Sequence, residues 1–566
     1  MRSSKVTVVI ILALIVLTLM PRLVGIDRFA TIDEPYWLTA GSDFYYALGQ
    51  RDLSNTVYDY HPAVTTMWIV TTAMLIYFPQ YRGFGQGYFD VYKESLDQFL
   101  LEHGRSALGL LTTARVVQVL LIVVLLVVVF LLLRRLVDDR AAVVAVLLVS
   151  FDPFFLGHSR LLNHEGMLAL FALVSVLAAL AYLLGSRRWW LLVASGVAAG
   201  LAQLTKSSSI VLVPLVGLMF LLACIFRKRL QDGMSGSLLA RDFGIWLGTL
   251  VVVYVLLWPG MWVAPGKMLG EVFGNAFSYA VQGARLSAAA GEPSAEFQPH
   301  LADITYYLQS MLWRTTPVAW LGLMLAFATF FWMDNKRRLT LLVVFFLGML
   351  FILLFGIASG RNSAHYILTS YAALEILAAI GLAEAAARLA GRLTGGAAQS
   401  TYALIVAAAL SLQLASALPF YPYYYNYYNP IMEGLDQGRQ NPNFGYGEGL
   451  DLAAAYLNQK PAAPDSTAMA FYGRGPFSFF YKGNTEALKT VYADAENVPQ
   501  LQQILRKTDY LVIYYALQHG RNAPANLMRA LEAARLEKAI WLNGIEYIRI
   551  YAMRDMPSDF LDRLQP

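Results

Sequence analysis

One cysteine, Cys224, is all that the 566 residues contain, and it lies in an apolar run. No intramolecular disulfide can form, and no cysteine-ligated metal site can be built. Charge is nearly as scarce: 14% of residues are Asp, Glu, Lys or Arg against 57% hydrophobic, which excludes an ordinary soluble globular protein. Phosphate loops are missing too, with neither a GxxxxGK[ST] stretch nor a Rossmann glycine fingerprint. Nucleotide chemistry is therefore not indicated, and nothing points to nucleic acid. Beyond Pro419 there is no long apolar run.

What is present is a series of apolar runs, each near the ~20 residues needed to span a bilayer. They are Val6 to Gly25, Val116 to Leu133, Ala141 to Phe155, Met167 to Leu184, Trp189 to Leu204, Ser209 to Phe226, Phe243 to Trp258, Val318 to Trp332, Leu339 to Ile357, Ile367 to Leu382 and Tyr402 to Leu418. Eleven spans are expected, the first an uncleaved anchor with Arg2 and Lys5 on the cytoplasmic side. Assigning alternate connections to one side gathers Arg134 and Arg135, Arg187 and Arg188, Arg227 to Arg229, Lys336 to Arg338, and Arg388 with Arg392 on that cytoplasmic side. The shorter "TTMWIVTTAMLIYF" at 65–78 reads as a helix in the outer interface, anchored by Trp68 and Tyr77. A true span there would turn every basic cluster outward.

The expected protein is mainly α, a polytopic membrane domain over 1–428 with outer loops at 27–112 and 259–315. An extracytoplasmic α/β domain is expected over 429–566, where strand-like "STAMAFYG", "DYLVIYYAL" and "AIWLNGIEYIRIYAM" alternate with helix-like segments, and Asn543-Gly544 suggests a hairpin turn. The location read from this topology is the cytoplasmic membrane, with the site on its outer face.

Polar residues then need an account. "GIDRFATIDEPYWLTAGSDFYYAL" carries the adjacent acids Asp33 and Glu34 just past the first span. Two acids at a membrane boundary are costly without a partner or a task, though Thr31 or Asp33 would also serve as a helix cap. "FDPFFLGHSRLLNHEGM" supplies Asp152, His158, Arg160, Asn163, His164 and Glu165; "LAQLTKSSSI" supplies Lys206; "SGRNSAHYIL" supplies Arg361, His365 and Tyr366; "YDYHPAVTTMW" supplies His61. Singly, each has a plain structural reading: Arg160 with Glu165 as an ion pair, Lys206 snorkelling to headgroups, His365 as an interfacial histidine. Together on one face, cations suit a phosphate and carboxylates suit proton abstraction from a hydroxyl. The combination suggests an outward-open cavity for an anionic lipid-linked group.

At these residues the sequence resembles the integral-membrane glycosyltransferases of the GT-C type, similar to the protein O-mannosyltransferases and the lipid A aminoarabinose transferases. The resemblance rests on "IDEPYW", "HPAVTTMW", "HSRLLNHEGM", "LTKSS", "RNSAHYIL", and "YPYYYNYYNP" with "FGYGEGLDLAAAYLN", covering Met1 to about Leu457. It implies a GT-C fold and a polyprenyl-phosphate sugar donor, with membrane lipid around it and an acceptor that is protein, lipid or glycan. Asp33 would be the catalytic base and Glu34 its neighbour, orienting the acceptor or the base. Arg160 and Glu165 match an S-R-x-x-x-x-acid pattern, and Lys206 matches a lysine near the lipid phosphate. The expected donor-phosphate set is Lys206, Arg160, Arg361 and His365, with His61, Glu165 and Tyr366 at the substrate. His61-Pro62-Ala63 stands where the aminoarabinose transferases carry Lys-Pro-Pro, which argues against aminoarabinose as the sugar. No cofactor is required, although Asp33, His61 and Glu165 would hold a divalent ion if they met. The expected reaction is inverting sugar transfer to an acceptor hydroxyl. The rival is a transporter or flippase of a lipid-linked glycan, against which stand the lack of a visible repeat and the gathering of ionisable groups at span ends.

Overall fold

The structure, a computed structural model, describes residues 4–91, 96–185, 187–226, 235–282, 301–358, 363–432, 434, 445–488, 498–514 and 525–564. In lipid a single segment satisfies its backbone only as a helix, and the apolar runs are helical accordingly. The chain opens with α1 (Ser4–Leu23), α2 (Glu34–Gln50), α3 (Val64–Tyr77), the short α4 (Leu96–Glu102) and the 30-residue α5 (Ala107–Leu136). Next come α6 (Asp139–Phe151), α7 (Pro153–Ser159), α8 (Glu165–Leu184), α9 (Trp189–Thr205), α10 (Leu212–Ile225) and α11 (Gly236–Leu257). The bundle closes with α12 (Leu301–Arg314), α13 (Pro317–Thr329), α14 (Asn335–Ile357), α15 (Leu368–Ala390) and α16 (Gly395–Ala417).

Among the described residues, eight helices are long and apolar enough to cross a membrane, or ten if two bent pairs each count once. One pair, α6 with α7, bends by 71° and the other, α12 with α13, by 111°. The cause is local, because a residue preceding proline is driven out of the α region. Asp152 before Pro153 stands at φ −58°, ψ 122°, and Thr316 before Pro317 at φ −72°, ψ 154°. The one expected span outside these ten, α9, has 17 residues, about 26 Å at the helical rise and short of the ~30 Å hydrocarbon core. The count by length and composition among the described residues is thus eight to ten, and α9 packs between α8 and α11.

Helix α3 packs most of its surface against α2 and α5 and leaves one apolar face, with Leu75 and Ile76, exposed; the Trp68 indole N–H donates to Leu257 O at 2.8 Å. Trp68 is a packing residue that ties α3 to the end of α11.

Charge separates the two ends of the bundle. At the C-terminal end of α5, Arg134 pairs with Asp139 at 2.9 Å, Arg337 with Asp138 at 2.7 Å, and Arg388 with Glu384 at 2.7 Å. Thirty residues away along α5, its N-terminal end lies beside the loops carrying Asp33 and His164.

Over that end sits the small C-terminal domain, entered through α17 (Leu450–Leu457). Its strands are β1 (Thr467–Ala470), β2 (Asn484–Ala487), β3 (Tyr510–Tyr514), β4 (Lys538–Leu542) and β5 (Ile545–Ala552), with α18 (Val498–Leu505) between β2 and β3. The sheet order is β2-β1-β3-β5-β4. Both neighbours of β1 run parallel to it, while β5 is antiparallel to β3 and β4. The β4–β5 turn is Asn543-Gly544 with φ of 49° and 80°, the pair of positive angles that a two-residue hairpin demands.

The docking of this domain onto the first loop is close. Gly475 has φ +85°, and a Cβ there would lie 1.8 Å from Pro35 Cγ. Gly447, at φ +111°, would set a Cβ 2.5 Å from Ala30 O. Ser478 Oγ donates to Asp97 Oδ2 on α4 at 2.6 Å, and Ile32 N donates to Tyr446 O at 3.3 Å.

Candidate active site

Between the bundle end and the C-terminal domain lies a cleft of about 520 Å³. Its wall combines Asp33, His61, Glu165, His365 and Tyr366, five of the sequence candidates, from four separate stretches of chain. Glu34, Arg160 and Lys206 are not part of that wall, and Arg361 lies outside the described residues.

Asp33 occupies the N-cap position of α2 but caps nothing with its side chain. Its carboxylate instead accepts a hydrogen bond from the Tyr446 hydroxyl. Burial first, and the Asp33 charge second, push the Tyr446 phenol well above its ordinary pKa, so it stays protonated and keeps donating. Tyr446 is itself held by its backbone N–H donating to Glu448 Oε2 at 2.5 Å, and Glu448 also accepts from Tyr514 Oη at 2.8 Å. A strand of the C-terminal domain thus reaches the first-loop acid through two hydrogen-bonded side chains.

Glu34, which the resemblance places beside the base, is not on the cleft wall. It is fully buried, and it accepts from Thr31 N at 2.8 Å, Leu162 N at 2.7 Å, Arg115 Nε at 2.7 Å and Arg115 Nη2 at 2.5 Å. From the first turn of α2 it points into the bundle, away from the cleft, and locks the first loop to α5 and to the connection before α8. Arg160 is buried likewise, its Nη2 donating to Val24 O at 2.6 Å and its guanidinium 5.4 Å from the Tyr424 ring centroid. Buried toward α1, it does not reach the cleft.

Lys206, just past the end of α9, forms a buried ion pair with Glu165 at the start of α8. Its Nζ lies 4.4 Å from the centroid of Tyr366 and 5.3 Å from that of Phe355. The Lys206 charge therefore reaches the cleft through Glu165 and the Tyr366 face. His164 Nε2 stands 3.6 Å from Glu165 Oε1, and its pKa is pushed well below the ordinary histidine value by burial, then by Lys206 and His365. The ring of His61 is 5.4 Å from that of His164, and Trp37 meets His164 edge-on at 4.8 Å. His365 contacts Tyr446 at 5.7 Å between centroids and hydrogen-bonds Ser363 Oγ through Nδ1 at 2.7 Å. Among the described residues, no three His, Cys, Asp or Glu side chains converge as a metal site.

Two residues that sequence reading passed over matter here. Arg115 is a lone cation in the apolar start of α5, the kind of intramembrane charge that signals a buried partner. Tyr446 stands between Gly445 and Gly447, whose φ values of 91° and 111° shape the loop that presents it. Its sequence signals are those alternating glycines and its place in the "FGYGEGLDLAAAYLN" stretch.

The model of the dolichyl-phosphate-mannose-protein mannosyltransferase family matches residues 109–259, a stretch that includes Glu165 and Lys206. No curated protein matches the chain in sequence. Among solved structures, ArnT from Cupriavidus metallidurans bound to undecaprenyl phosphate superposes with a TM-score of 0.50 at 13% identity, over 99% of both chains. The apo oligosaccharyltransferase of Archaeoglobus fulgidus gives 0.43 at 14% identity over 90% of this chain and 71% of its own. The S. cerevisiae protein O-mannosyltransferase Pmt1-Pmt2 complex bound to the sugar donor gives 0.37 at 17% identity over 47% and 35%. The chain has the polytopic GT-C fold in the form seen in ArnT, and its residues 109–259 are similar to the dolichyl-phosphate-mannose-protein mannosyltransferase family.

Proposed function

We propose that this chain transfers a sugar from a polyprenyl-phosphate donor to an acceptor hydroxyl at the outer face of the cytoplasmic membrane. The observation that carries the reading is the cleft itself, in which Asp33, oriented by Tyr446, shares one wall with Glu165, His61 and the His365-Tyr366 pair. The mannosyltransferase family match and the ArnT fold support the reaction class, and the undecaprenyl phosphate bound to ArnT supports the donor class.

In the proposed step the acceptor oxygen attacks the anomeric carbon while its proton passes to Asp33, and the bond from that carbon to the phosphate oxygen breaks. A single displacement inverts the anomeric centre. Lys206 and His365, with Arg361 close to His365 in sequence, would stabilise the charge growing on the departing lipid phosphate. That leaving group is already a bound phosphate ester, so the chemistry requires no metal.

The test is sugar release and transfer by the full chain in liposomes, supplied with short-chain polyprenyl-phosphate sugars and mixed acceptors. Turnover with at least one donor is expected. Donor binding without turnover in the unsubstituted chain would overturn the reading in favour of a flippase.

Tyr446→Phe separates orientation from base chemistry. A hydrogen bond donated to the charged form favours that form, so its loss raises the pKa of the Asp33 carboxyl. The acid limb of kcat/KM is expected to move about one to two pH units higher, in keeping with the ~1.5–3 kcal/mol of a bond to a charged group, while the rate on the neutral plateau changes little through protonation. An unmoved limb would mean that Tyr446 only fills space.

A further inference from the structure

Given sugar transfer at Asp33, we propose that the acceptor is a carbohydrate and that it lies in a second groove, between α4 and the β2 side of the C-terminal domain. This groove has a volume of about 750 Å³, and it shares Gly473 and Arg474 with the cleft that holds Asp33. The next residue, Gly475, packs directly on Pro35, two positions from Asp33. A chain seated in the groove and passing over Arg474 is thereby led to the base.

The lining selects the chemical class. Asp97, Glu102 and Glu486 offset Arg474, Lys482 and Lys507, so no net charge favours an anionic or cationic acceptor. Between them stand the amides of Gln98, Asn484 and Gln503, which donate and accept at once, as ring hydroxyls do.

Other acceptors fit less well. An extended peptide would have to pair with β2, the edge strand, but β2 has four residues and the close approach of Gly473 covers Glu486 O. Too little backbone remains for strand addition. A lipid acyl chain would find Leu101 and Ile504 as the only aliphatic side chains in the lining among the described residues.

Asn484 and Gln503 are exposed, so tryptophan at either fills the groove without disturbing the sheet. The probes are linear tetrasaccharides of glucose, mannose and N-acetylglucosamine, and Ser/Thr-containing peptides, each added to the full chain in detergent. Saturation-transfer NMR is expected to show binding of at least one tetrasaccharide that Asn484→Trp and Gln503→Trp abolish. In the transfer assay the same variants should raise the acceptor KM tenfold or more while leaving acceptor-free release of sugar to water unchanged. Binding of peptides alone, binding of none of the probes, or binding and KM that both variants leave intact would each overturn the carbohydrate assignment. Tetrasaccharide binding without sugar release from any donor would uphold the groove and refute the transfer reading instead.

Discussion

Asp33→Asn is expected to insert and fold like the unsubstituted chain and to lose sugar transfer by roughly 10²-fold or more, the scale of a missing general base. The substitution is nearly isosteric. The asparagine carbonyl still accepts from Tyr446, so the link between the first loop and the C-terminal domain survives. What disappears is the basicity that takes the acceptor proton. Thermal unfolding within a degree or two of the unsubstituted chain, beside a rate near background, is the expected pair of measurements. Full turnover by a normally inserted Asp33→Asn protein would end the assignment of Asp33 as base.

The neighbouring acid should behave in the opposite way. Glu34→Gln is expected to destabilise the protein by about 3–5 kcal/mol, because it leaves the buried Arg115 guanidinium without its counter-charge. The geometry makes the amide a poor substitute. Both carboxylate oxygens of Glu34 receive donors, from Thr31 N, Leu162 N and two Arg115 nitrogens. Glutamine offers one acceptor, and its NH₂ would be forced against one of those N–H groups. A large drop in the unfolding midpoint of the detergent-solubilised protein is the readout, with partial recovery in Glu34→Gln/Arg115→Met, where the unpaired charge is gone. Whatever folded Glu34→Gln protein is recovered should keep the acid limb set by Asp33. An unfolding midpoint unchanged in Glu34→Gln would remove the structural role.

These two adjacent acids show how far a linear reading reaches. Both are carboxylates at the same membrane boundary, and "IDEP" contains nothing that separates them. The helical turn does: Glu34 in the first turn of α2 points inward to Arg115 on α5, while Asp33, one residue earlier, points into the cleft. The same holds for Lys206 and Arg160, both read as phosphate ligands. The structure pairs Lys206 with Glu165 at the cleft and turns Arg160 toward Val24.

Composition and periodicity alone determined that this is a polytopic helical membrane protein with a small α/β domain after the bundle, since long apolar runs admit no other backbone solution in lipid. They also determined the segments that carry polar chemistry, because a charge in such a chain must have a partner or a purpose. Tertiary structure decided which of those charges meet. Bends at Asp152-Pro153 and Thr316-Pro317, the glycine-permitted contacts at Gly447 and Gly475, and the pairing of Tyr446 with Asp33 all join residues far apart in sequence. Hydropathy registers whether a residue tolerates lipid, and only packing sets the direction in which its side chain points.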